Sequence, residues 1–404
     1  MSAPYFDYAA TTPLDPRVAE VMADYQRPGE PVANPSSIHP AGLEAHRCVE
    51  EADAAVRHAL GLDSHRLVWT SGATEADNLA ILGTASALRA RGSARHRLLL
   101  PATEHSAVLA AAKAAEQYGM KAQTLAVRAD GRVCPDSLDA ALDETVALVS
   151  IALVNNETGV IQDVGSIAEK VHAAGALLHV DAAQAAGRLH DPALFSSADL
   201  LVVSAHKFYG PKGIGALCYR PAVRLDAMIH GGGQQQGLRS GTLPVPLIAG
   251  MAEAFRHPDS PSEGERQRAL WQQLRRRMAA LEGVVLNSRE DGSPHILNVA
   301  FAGVHGEALR GLLANCMVGF GSACSSREGP SHVLRAMGRP DALAHASVRF
   351  SLGRFTTAEA VEEIAETVAE AVQALRAVSP VWRELQAGAS IESVYSVTTP
   401  LNLA

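Results

Sequence analysis

Between residues 66 and 219 the chain repeats one rhythm. Short apolar runs rich in Leu and Val fall at 66–71, 97–101, 121–127, 147–154, 176–181, 199–204 and 213–219, and most gaps between them carry apolar residues at helical spacing. Strands of that length alternating with amphipathic helices predict an open α/β sheet of seven mostly parallel strands, with helices on both faces. Upstream, 16–25 is amphipathic, and 41–60 spaces Leu43, Val49, Val56 and Leu60 helically, with Gly61 as the C-terminal stop.

The rhythm changes after the polar, proline-bearing stretch 256–265, where a domain boundary is expected. Beyond it, Leu270, Leu274, Met278 and Leu281 predict an amphipathic helix. Strand patterns follow at 296–301, near Val318 and at 347–352, with a helix at 307–315 between the first two. The last long helix is expected to open with a capping box, Thr356 to Glu359, and to bury Val361, Ile364, Val368, Val372 and Leu375. The expected organisation is a segment 1–14 packing with the small domain, a large domain 15–258, a small α+β domain 259–385, and a loosely held tail 386–404.

Composition narrows the function classes. A chain of 404 residues, 47% hydrophobic, has ample material for two cores. Its net charge of -8, without a run of Lys or Arg, argues against a direct nucleic-acid grip. Five cysteines without a close Cys-x-x-Cys pair argue against a disulfide framework and a structural zinc site, and no metal is expected. The N-terminus has no basic start followed by an apolar core, and no stretch approaches membrane-spanning length. The expectation is a cytoplasmic protein with no membrane partner.

In an open α/β sheet, ligands bind beyond the C-terminal ends of the strands, so the residues there carry the chemistry. Run 199–204 ends in Ser204, Ala205, His206 and Lys207, which sets an amine at a strand mouth. After 66–71 come Gly72, Ala73 and Thr74, with Asp77 three residues on, read as a helix start that could cradle an anion. Glu104 and His105 follow the second run; Asn155, Asn156 and Glu157 follow the fourth; Asp181 and Gln184 end the fifth. A lysine, a carboxylate, an imidazole and an anion cradle on successive strand ends are the parts that pyridoxal phosphate uses together. The glycine-rich stretch 228–243 lacks the Walker pattern and is not read as a nucleotide site.

With DYAATTPLD, TSGATEADN, EHSAV, VNNETG, HVDAAQ, SAHKFYGPKGIGAL, GGGQQQGLRSGT, GSACSS and RFSLGRFTT in this order, the chain resembles the cysteine desulfurases of the iron–sulfur cluster assembly and nitrogen-fixation group. These belong to the fold-type I class V aminotransferase superfamily. The resemblance implies a pyridoxal phosphate enzyme that converts L-cysteine to L-alanine. Lys207 would bond the cofactor aldehyde, Asp181 would pair with its pyridinium, Gln184 with its phenolate oxygen, and His105 would stack on its ring and relay protons. Thr74, Ser204 and His206 would hold the phosphate, Ala73 and Asn156 would also contact the cofactor, and Thr242 would reach the phosphate of a second subunit, which implies a homodimer. Asn156 and Arg349 would hold the substrate, Arg349 as a carboxylate clamp. Cys324 would take the sulfur as a persulfide and pass it to an acceptor protein, for cluster assembly, tRNA thiolation or DNA phosphorothioation. Cys48, Cys134, Cys218 and Cys316 are read as structural.

Two departures from the family pattern stand out. Gln235 and Gln236 occupy positions where the family has an acidic then a basic residue, which bears on polar pairing at the dimer face. The segment after Cys324, SSREGPSHVLRAMG, is shorter than in the long-loop group, which suggests that a partner or a conformational change helps Cys324 reach the substrate. The competing readings are a selenocysteine lyase or another enzyme of the same fold, and, from a different class, a docking subunit that has lost catalysis.

Overall fold

The computed structural model describes residues 4–27, 33–189, 191–320 and 329–395. In chain order the strands are β1 (Tyr5–Phe6), β2 (Arg66–Thr70), β3 (Arg97–Pro101), β4 (Lys121–Leu125), β5 (Val146–Ala152), β6 (Leu177–Asp181), β7 (Leu200–Ser204), β8 (Gly215–Tyr219), β9 (Val284–Leu286), β10 (Ile296–Phe301), β11 (Met317–Phe320) and β12 (Ser347–Ser351). Among the described residues they form two sheets. The larger has seven strands in the order β2-β8-β7-β6-β5-β3-β4, parallel except where β8 runs antiparallel to both β2 and β7.

All seven expected runs are strands of this sheet, each shifted by two residues or fewer at its ends. The sheet is covered on both faces because its central strands are apolar throughout. In β7, Leu200 and Val202 enter one core, while Leu201 and Val203 enter the other. The helices Ala73–Ala90 and Ser106–Ala114 cover the first face; Pro16–Asp24, Pro40–Ala59 and Val245–Arg256 cover the second.

The smaller sheet has five strands in the order β1-β11-β12-β10-β9. It packs the helices Pro261–Ala279 and Ala358–Ala377 through Trp271, Leu274, Val361 and Val368, a core separate from those of the large sheet. The indole Nε1 of Trp271 donates to the Ile296 carbonyl at 2.8 Å, which satisfies its one polar group in that core. Residues 5–6 join this sheet as β1, parallel to β11.

One local expectation is corrected. The helix Ala358–Ala377 is capped by Thr357, whose side chain accepts from the Ala360 N–H, while Thr356 Oγ1 accepts from Gly353 one turn back. The motif was misplaced by one residue because two threonines stand side by side. Of the expected tail, residues up to 395 are described: Ser390 caps a short helix Ile391–Val394, Ile391 and Tyr395 pack against Ala300, Ala302 and Leu343, and the Tyr395 hydroxyl accepts from Gly303 N–H at 2.6 Å.

Candidate active site

Five strand ends of the large sheet open onto one cavity of about 570 Å³. Nine residues singled out from the sequence line it: Ala73, Thr74, His105, Asn156, Asp181, Gln184, Ser204, His206 and Lys207. The tight 3-10 turn Ala205–Lys207 after β7 carries His206 and Lys207 to the rim.

The N-terminal segment closes one wall. Lys207 Nζ donates to the carbonyls of Ala9 and Ala10 at 2.7 and 2.9 Å, and Gln184 Nε2 also donates to Ala9 at 2.8 Å. In this structure the Gln184 amide is therefore turned to the backbone of residue 9. The segment is itself stitched to the turn after β7, since Thr12 N–H donates to the His206 carbonyl and Thr12 Oγ1 accepts from Tyr209 N–H at 2.7 Å. Tyr209 has φ 68, a left-handed conformation uncommon for a bulky residue, and those bonds hold it there.

Asp181 ends β6 with its carboxyl on the cavity wall, its Oδ1 accepting from Ala183 N–H at 2.9 Å. Burial pushes this carboxyl up, and the Ala183 bond and the nearby His105 and Lys207 oppose the shift. Beneath it lie two further buried carboxyls, Asp77 and Glu104, both held well above the ordinary carboxyl range, by burial first and then by the field of Asp181. Asp77 was read from sequence as part of a helix start; it instead points into the core, its Oδ1 3.5 Å from His179 Nε2. Of the three, Asp181 is the carboxyl that lines the cavity, beside the His105 and Lys207 that oppose its shift, and so it is the one placed to meet a cation there. Burial holds the His105 imidazole below its usual value, with Asp181 opposing and Lys207 and His332 adding to the shift. It is thus a neutral ring at pH 7, its Nδ1 accepting from Ala107 N–H.

At the opposite end, β2 runs into Ser71 and Gly72 and then into the helix Ala73–Ala90. Gly72, not Thr74, is the N-cap, and no side chain caps the helix, so its first-turn N–H groups face the cavity. Gly72 has φ 153, open to glycine. Gly215 makes the turn possible from the other side: a Cβ there would lie 2.7 Å from Gly72 Cα and from the Val203 carbonyl. Ser204, His206 and Lys212 complete this end.

Three candidates fall elsewhere. Thr242 is exposed and outside the cavity lining. Arg349 is buried in β12 behind the wall; its Nη1 donates to the Asn156 carbonyl at 2.9 Å and its Nη2 pairs with Asp7 at 2.7 Å. Cys324, and residues 325–328 of the segment after it, lie outside the described residues. Of the remaining cysteines, Cys218 is fully buried with its thiol pushed up to about 12, and burial also raises Cys48 and Cys316. The sequence reading missed the carbonyls of Ala9 and Ala10 and the cavity-lining Glu75 and Lys212; the DYAATTPLD motif was the only signal for the first two.

The model of the aminotransferase class-V family matches residues 4–364. The cysteine desulfurase IscS of Serratia proteamaculans is 44% identical over 397 residues, which are 96% of this chain and 98% of that protein. The chain belongs to the cysteine desulfurases of the class-V aminotransferase family. Among solved structures, a NifS-like protein superposes with a TM-score of 0.83 at 34% identity, covering 92% of this chain and all of that one. The protein SspA, solved in complex with cysteine, gives 0.76 at 32% identity, covering 87% and 99%. Among the described residues, no helix is long and apolar enough to cross a membrane.

Proposed function

We propose that this cysteine desulfurase binds pyridoxal phosphate in the 570 Å³ cavity and converts L-cysteine to L-alanine, leaving a persulfide on Cys324. The observation that carries this reading is the placement of the Lys207 amine and the Asp181 carboxyl on the same cavity as the uncapped helix start at Gly72. A phosphorylated pyridine aldehyde fits that donor set. Its phosphate suits the first-turn N–H groups with Thr74, Ser204 and His206, its protonated ring nitrogen suits Asp181, and its aldehyde suits Lys207. When bound, such a group supplies an electron sink for bonds at the substrate α-carbon.

The chain's own residues do the rest. Asp181, on the cavity wall, would hold the proton at the ring nitrogen, while burial and the field of Asp181 oppose charge on Asp77 and Glu104 behind it. Lys207, which would hold the aldehyde in the resting enzyme, would then be the amine placed to move the α-proton of the substrate. His105, held neutral by burial beside Asp181, would lie against the ring and could pass a proton to or from the substrate sulfur. Asn156 and Arg349 hold the substrate carboxylate, for which Arg349 must exchange at least one of its bonds to Asn156 and Asp7. The Cys324 thiolate attacks the substrate sulfur: an S–S bond forms, the Cβ–S bond breaks, and the carbon takes a proton. L-cysteine and a thiol thus become L-alanine and a persulfide, with no external oxidant.

The same reading makes the protein a homodimer, in which exposed Thr242 reaches the phosphate of the second copy, and a donor of sulfur to an acceptor protein of the cytoplasm. The free thiols of Cys48, Cys134, Cys218 and Cys316 suit that reducing compartment. It also divides the chain at the connector after Arg256 into a cofactor domain and a small domain. Alanine and persulfide measured together from L-cysteine test it. Equal amounts are expected from the wild-type chain and neither from Lys207→Ala; sulfide formed at the wild-type rate by Cys324→Ser removes the assigned nucleophile. Selenide release from selenocysteine with no turnover of cysteine would favour the lyase reading.

A further inference from the structure

Two side chains leave the glycine-rich loop before helix Val245–Arg256 and grip the phosphate end of the cavity from outside. Gln235 and Gln236 both have positive φ, 52 and 59, which is unfavourable for residues other than glycine and persists only where the surroundings enforce it. The enforcing contact is on Gln235. Its Oε1 accepts from Trp69 N–H at 2.7 Å, and its Nε2 donates to the Trp69 carbonyl at 3.0 Å. Trp69 lies on β2, the edge of the seven-stranded sheet, so its outward N–H and C=O have no strand to pair with. The amide of Gln235 takes the place of that strand. A carboxylate, which the family pattern has at this position, could accept from the N–H but could not donate to the carbonyl.

The second grip is on Arg239. Its Nε and Nη2 donate to the two oxygens of Glu75 at 2.8 and 3.2 Å, and Glu75 Oε2 also accepts from Ser71 N–H at 2.8 Å. Burial pulls the Glu75 carboxyl up, and the bonds from Arg239 and Ser71 outweigh it, so Glu75 is an anion on the cavity wall. It stands in the first turn of the helix whose N-terminus faces the cavity, where it would repel an incoming phosphate unless its charge were cancelled. The two grips therefore bracket the turn 71–74, one at Trp69 just before it and one at Glu75 just after.

We propose that Gln235 and Arg239 are positioning residues for the phosphate cradle: Gln235 fixes the strand end that feeds the turn, and Arg239 holds and neutralises Glu75 so that the turn accepts a phosphate monoester. The inference rests on the reading that this end of the cavity takes the cofactor phosphate. It goes further in assigning two residues outside the cavity, one of them a departure from the family pattern, to phosphate affinity rather than to chemistry.

The test compares the dissociation constants of pyridoxal phosphate and of pyridoxal for the full-length chain stripped of cofactor, by quenching of tryptophan fluorescence, with circular dichroism to confirm folding. The wild-type chain is expected to prefer the phosphorylated ligand strongly. Leaving Glu75 uncompensated in Arg239→Gln is expected to weaken pyridoxal phosphate about tenfold while moving pyridoxal less than about twofold. Adding Glu75→Gln to that variant should restore pyridoxal phosphate to within about threefold of wild type, because both charges are then gone. Gln235→Leu should weaken the phosphorylated ligand selectively as well. Equal weakening of both ligands by Arg239→Gln, no weakening, or no rescue by Glu75→Gln overturns the inference while leaving the phosphate end of the cavity in place. A wild-type chain without preference for the phosphorylated ligand overturns that reading and the inference with it.

Discussion

Arg354 lies across Tyr209: its guanidinium carbon is 4.0 Å from the ring centroid, and its backbone N–H donates to the phenol oxygen at 2.8 Å. The same guanidinium pairs with Asp15 at 3.0 Å and Asp259 at 2.7 Å, so it ties the segment after β12 to the N-terminal segment, the inter-sheet connector and the strained turn that carries Lys207. Both carboxylates are buried, and removing the cation leaves Asp15 to Arg17 alone and Asp259 to the Gln267 amide and an Arg188 guanidinium 4.0 Å away. Arg354→Ala is expected to lower unfolding free energy by about 3 kcal/mol, measured by urea denaturation. Arg354→Lys should recover only part of it, since a lysine keeps the charge but loses the planar stack on Tyr209.

His206 gives a pH signature. Burial, with Lys207 and Lys212 adding, pulls its imidazole down from 6.5 to about 4. The unfolded chain takes up this proton as pH falls through 6.5, whereas the folded chain resists until about 4. The stability at stake is thus intact above pH 6.5 and lost progressively between 6.5 and 4, amounting to about 2 kcal/mol after allowance for partial exposure. In the cofactor-free chain, His206→Asn should flatten the slope of stability against pH in that window; an unchanged slope would show that the imidazole titrates normally.

Gly215 admits no side chain without moving the turn at Gly72, because its Cβ would meet backbone on both sides. Gly215→Ala is expected to cost about 2 kcal/mol of stability. It should also weaken pyridoxal phosphate more than pyridoxal, since the displaced atoms belong to Gly72. Thermal unfolding and ligand titration read the two effects separately.

What the sequence made legible follows from how local each signal is. The strands of the large sheet are buried on both faces, so their apolar runs stand out, and the residues at their ends needed only the rule that ligands sit there; nine of them meet at one cavity. β1 and β9 were missed because two and three residues are too few for a period to show. The roles of Asp77 and Gln235 depended on what lies across from them, His179 on β6 and the bare edge of β2, and neither neighbour is near in sequence. Arg349 was placed on the substrate by motif, but its present bonds to Asn156 and Asp7 join segments far apart in the chain.

In the proposed reaction Lys207 acts first and the sulfur ends on Cys324. The most direct measurement is peptide mass spectrometry of the cofactor-loaded chain after exposure to L-cysteine and trapping of persulfides. One added sulfur is expected on the peptide containing Cys324 in the wild-type chain, none on the peptides of Cys48, Cys134, Cys218 and Cys316, and none anywhere in Lys207→Ala. Sulfur on one of those four instead, or the same labelling of Cys324 in Lys207→Ala, would contradict it.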